Sequence, residues 1–246
     1  MKNLLLALMF GGFASQPAAA QISWQPNFNM VANINNAVVL NPCAYDDCKD
    51  DKAKPQKTQP AAQRPAALAT LAQLNFVPSP ALRKRNFATF VDKMRPGNPA
   101  GAEQMAKMFA SSDLIDQVGK SIAPTGLRTN NVADAFALWW ATTWSASRGK
   151  ADDKTRAQMQ SVRALVVKVM LTDPGVSRAT AAQKQEFAEG LFIQSLLLDT
   201  AVKQARGNQG NLALLARTAR QAAQAAGLNL DVMNLTANGF VPVDQR

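Results

Sequence analysis

The chain has 246 residues, 47% of them hydrophobic, and a formal net charge of +10 with no histidine. That length and apolar share suit one folded domain of ordinary size with a core of its own. The missing histidine excludes Ser-His-Asp and Cys-His catalysis within the chain, and two cysteines alone cannot complete a tetrahedral zinc shell.

The first twenty residues, MKNLLLALMFGGFASQPAAA, place Lys2 before a short apolar run and end on three alanines. This is the pattern of a cleaved bacterial-type signal peptide at 1–20, with the mature chain starting near Gln21. The run is far shorter than the roughly 20 apolar residues a bilayer span needs. No later stretch is long enough either, so the mature protein is expected to have no transmembrane segment. Residues 21–48 form a short N-terminal segment, in which 35–42 (NNAVVLNP) reads as extended. Cys43 and Cys48 enclose four residues, and export would make a small disulfide loop their default state. Asp46, Asp47, Asp50 and Asp51 lie nearby, but interleaved lysines and the wrong spacing argue for a solvated loop over a metal site. Residues 49–67 are rich in Lys, Gln, Pro and Ala, can bury no face, and read as a disordered linker.

The remainder, 68–246, carries helix signals throughout. Ser79-Pro80 and Asn98-Pro99 each give a cap followed by proline at the first helical position. Their helices are expected to reach about Arg95 and Ala110. Ser112 or Asp113 opens a third, stopped by Pro124 and Gly126. Asn131 opens a fourth, to about Arg148. Asp152 or Asp153 caps a fifth, to about Thr172, with Met159, Val162, Val166, Val169 and Met170 as its apolar stripe. Asp173-Pro174-Gly175 breaks the chain. Thr180 and Gln183 form a capping box for a long helix to about Arg206. The last helix ends at Ala226, with Gly227 as a left-handed cap. The tail from Leu228 reads as irregular, with Leu228, Leu230, Val232 and Leu235 packed back on the helices. Seven helices with short loops define an all-α domain, orthogonal or bundle-like. The long helix is apolar on nearly every side and is expected at its centre.

Residues 126–144 (GLRTNNVADAFALWWATTW), 185–189 (QEFAE) and the closing Gly239-Phe240 resemble an uncharacterised domain family of exported bacterial proteins. The resemblance runs from Leu74 to the C-terminus and leaves out the segment before the linker. It implies an all-α exported domain and no named reaction.

Several side chains are candidates for chemistry or binding. Trp139, Trp140 and Trp144 share one helix; core packing is the commoner use, and an exposed pair would make a platform for sugars or peptides. Arg128, in the loop before them, could bind an anion or tie loop carbonyls. Asp134 follows Asn131 by three residues, so it belongs to a helix start, where the dipole favours it, more than to catalysis. Glu186 and Glu189 lie one turn apart on the long helix. A partly buried pair could serve acid–base work in a wall-directed hydrolase or lyase. On a helical wheel they fall with Gln185 and Lys203 on a polar side that could meet solvent. No cofactor is implied. The expectation is therefore a periplasmic or secreted binding module for an envelope component, either a protein or an anionic polymer. A peptidoglycan hydrolase and a basic polyanion binder are the alternatives, and export argues against nucleic acid as partner.

Overall fold

The computed structural model describes residues 71–243. The expected signal peptide, Cys43 and Cys48, and the linker at 49–67 lie outside the described residues. Among these residues eight α-helices follow one another: α1 (Pro80–Met94), α2 (Pro99–Ser111), α3 (Leu114–Ile122), α4 (Val132–Ala146), α5 (Arg156–Met170), α6 (Pro174–Arg178), α7 (Ala181–Gln204) and α8 (Gln209–Ala225). Short 3₁₀ turns lie at Ala123–Thr125 and Leu230–Val232, and a hairpin of β1 (Met233–Thr236) and β2 (Gly239–Pro242) closes the domain. The class is all-α. No helix among the described residues is long and apolar enough to cross a membrane.

The helix starts follow from local side-chain chemistry. Ser79, Asn98, Asp113 and Asn131 each accept a hydrogen bond from a backbone N–H of the first turn that would otherwise go unpaired. Thr180 and Gln183 form the reciprocal capping box expected of them. Two expected boundaries differ. The fifth helix is capped by Thr155, which forms a capping box with Gln158, and neither Asp152 nor Asp153 caps it. Asp173-Pro174-Gly175 does end α5, but Asp173 then caps the short α6 by accepting from Gly175 N. Gly126 and Gly227 adopt left-handed φ values of 80° and 77°, which lets the chain leave a helical segment at little cost.

The tail is a hairpin and not irregular chain. Met233 pairs with Pro242 and Thr236 with Gly239 in antiparallel register. Gly239, at φ 95°, takes the positive-φ position after Asn238 that this tight turn requires. Leu228, Leu230, Met233 and Phe240 are buried, so the tail packs on the helices as expected, whereas Val232 is only partly covered.

The centre is shared by α4 and α7, which pack along each other. α4 is the more deeply enclosed: twelve of its fifteen residues are buried, against eleven of twenty-four in α7. Ala133, Ala135, Ala137 and Ala141 explain this, because small side chains let neighbouring helices approach α4 closely. The apolar run at Leu196, Leu197 and Leu198 is only half-buried, so α7 is enclosed mainly along its first half.

Candidate functional site

The densest polar arrangement in the interior centres on Glu189 of α7. Its side chain is 1% exposed. Oε1 accepts from Arg83 Nε at 2.8 Å and from Gln185 Nε2 at 2.9 Å, and Oε2 accepts from Asn86 Nδ2 at 2.9 Å. Arg83 and Asn86 stand three apart on α1, and Gln185 and Glu189 four apart on α7, so each pair presents one helix face. Gln185 also clamps the start of α1: it accepts from Ser79 N and donates to Ser79 O, both at 2.9 Å. Arg83 reaches further, donating from Nη1 to Asp113 Oδ2 at 2.7 Å. Asp113 is the cap of α3, so one guanidinium joins α7, α1 and α3. The expected solvent-facing position of Glu189 is therefore incorrect. The side that carries it meets α1, because Arg83 and Asn86 supply the partners a buried carboxylate requires. Glu186 is half-buried, with no hydrogen bond or ion pair to a described residue.

A second buried carboxylate lies at the start of α4. Asp134 is fully enclosed, and its Oδ2 accepts from the backbone N of Arg128 at 2.9 Å. Its Oδ1 accepts from Arg163 Nε of α5. The Arg128 guanidinium stands 3.6 Å from Oδ2, with its side chain 54% exposed. Asn131 accepts from Ala133 N and Asp134 N and donates to Asn75 Oδ1 at 2.7 Å, pinning the segment before α1 to the α4 start. Among the described residues Arg128 ties no loop carbonyl; its partners are Asp134 and, at 3.5 Å, Asn75 Oδ1.

The three tryptophans do not form an exposed platform. Trp139 and Trp140 are 5% and 0% exposed. Trp140 stacks on Phe240 with ring centroids 4.4 Å apart. Trp144 is half-buried and donates from Nε1 to Met233 O at 2.9 Å. Arg148 lies over its ring at 4.1 Å and donates to Leu230 O and Met233 O, both at 2.9 Å. These aromatics hold the C-terminal hairpin against α4.

Arg83, Asn86, Gln185 and Arg163 are the site residues that spacing alone did not mark. A faint signal exists in Gln185 and Glu189: two polar residues one turn apart, just before the apolar run at 191–193. Their partners stand 103 to 106 residues away, beyond the reach of any local pattern.

Fold and site together define an all-α domain whose buried carboxylates are used to join helices. The chain belongs to a family of unknown function (DUF6683), whose model matches residues 2–242. The match begins at residue 2 and not at Leu74, so it takes in the segment and linker that the resemblance left out. Neither the curated proteins nor the solved structures contain a match.

Proposed function

We propose that this protein is an exported, non-catalytic binding module of the bacterial envelope. The observation that carries the reading is how the buried acids are used. Among the described residues these are Asp134, Asp173 and Glu189. Asp134 and Glu189 each meet an arginine, and Asp173 caps α6. The two oxygens of Glu189 accept from three fixed donors, which take up most of the positions from which it could protonate a leaving group or activate water. With no histidine in the chain, such carboxylates are the natural place to look for general acid–base catalysis.

Export rests on the charged start, short apolar run and Ala-x-Ala ending of residues 1–20. It would put Cys43 and Cys48 in an oxidising compartment, where their disulfide is the expected state. The basic balance of the chain favours an anionic envelope component as partner. The test is incubation of the purified full chain with peptidoglycan and chromatography of the soluble products. No release of wall fragments is expected. Release by wild type that Glu186→Gln abolishes, with helicity unchanged, would replace this reading with the hydrolase or lyase.

A further inference from the structure

We propose that Arg128 and Arg156 form a phosphate-binding site at the Gly126 loop, an inference that rests on the binding-module reading above. The loop leaves the 3₁₀ turn at Gly126 with φ 80° and is held to α5 by Gln160, whose Nε2 donates to Thr125 O at 2.8 Å. Arg156, Gln160 and Arg163 occupy positions i, i+4 and i+7 of α5, so they form a single stripe along that loop and Asp134. A Cβ placed on Gly126 would lie 3.4 Å from both Cζ and Nη2 of Arg156. The guanidinium thus lies along backbone that carries no side chain to displace it.

Charge is out of balance here. Two guanidinium groups, those of Arg163 and Arg128, meet one buried carboxylate, and a third, that of Arg156, lies against Gly126 of the same loop. Arg163 donates to Asp134, which also takes the Arg128 backbone N–H. The Arg128 side chain is 54% exposed; its Nε stands 3.6 Å from that carboxylate, and its Nη2 makes a long hydrogen bond to the neutral Asn75 Oδ1 at 3.5 Å. Arg156 is exposed and makes no hydrogen bond or ion pair with a described residue. Two positive charges are left over at one loop. A phosphate group, with about −1.5 to −2 charge near neutrality, matches that surplus. Planar guanidinium forks match its oxygens in pairs.

Free phosphate and the phosphodiester of a phospholipid head group share the anionic oxygens that guanidinium forks bind, the diester with a single negative charge, so the experiment has two arms. The full chain is titrated with inorganic phosphate by calorimetry at about 0.1 M ionic strength, where charges more than about 10 Å apart are largely screened. It is also sedimented with vesicles of phosphatidylcholine and phosphatidylglycerol in equal parts. Saturable binding is expected in at least one arm, and the responding arm identifies the source. R128A/R156A should weaken it about tenfold or more, as loss of charge-assisted hydrogen bonds implies. R156A alone removes no observed bond, so its share of the loss cannot come from misfolding. K84A/R85A removes the same charge from an exposed pair on α1 and should change binding less than about twofold, because screening isolates distant charges. No saturable binding in either arm, or equal loss in both double variants, overturns the site. Neither outcome touches the binding-module reading, which fails only if wall fragments are released.

Discussion

Lys154 shows how one side chain can set a pH dependence. Burial is the main cause that pushes its amine below the ordinary 10.5, and Asp152, Asp199 and Asp153 only partly oppose this. The folded state therefore binds this proton less tightly than the unfolded chain does. Below the folded pKa the amine is charged in both states and the burial cost is fully present. As pH rises toward 10.5 the folded form loses its proton first, so stability increases. Lys154→Met removes the group. Urea unfolding should find the variant more stable than wild type at pH 7, with the gap closing as pH approaches 10. A gap independent of pH would mean that the amine is not desolvated. Arg83 and Arg163 teach the complementary lesson about legibility. Charged residues are common on helical surfaces, and nothing next to them in the chain marks these two as partners of Glu189 and Asp134.

At the scale of elements, the helix starts were the most legible feature, because a cap and the N–H it satisfies lie within three residues of each other. The exception at α5 has a physical reason. Asp152 and Asp153 are good cap types, but Thr155 has Gln158 three residues on: Thr155 Oγ1 accepts from Gln158 N while Gln158 Oε1 accepts from Thr155 N, a reciprocal pair that fixes the start there. Thr155→Ala should cost about 1 kcal/mol in urea unfolding, whereas Asp152→Ala should cost less than about half of that. The reverse order would restore the aspartate cap. The C-terminal hairpin was harder to read. Asn238-Gly239 is a hairpin signal, but four-residue strands leave too little alternation to recognise. The tryptophans show the same limit: helical spacing gives their faces, while Phe240, which covers Trp140, is supplied a hundred residues later.

For the whole molecule, the Arg83–Glu189 tie matters most, since it joins α7, α1 and the cap of α3 at one point. Sequence pattern gave the all-α class because apolar periodicity and caps are local. How the helices are joined depends on contacts 103 to 106 residues apart, and only the folded chain reveals those. The central claim is that Glu189 holds helices together and does not catalyse. Equilibrium unfolding of Glu189→Gln in urea tests it most directly. Glutamine keeps the shape but removes the charge facing Arg83 and turns an amide NH2 toward groups that already donate. The variant should be less stable by about 2 to 4 kcal/mol, with a lower midpoint and an unchanged slope. A buried acid kept for catalysis commonly lowers stability, and replacing it stabilises the protein. A Glu189→Gln protein as stable as wild type, or more so, would contradict the account.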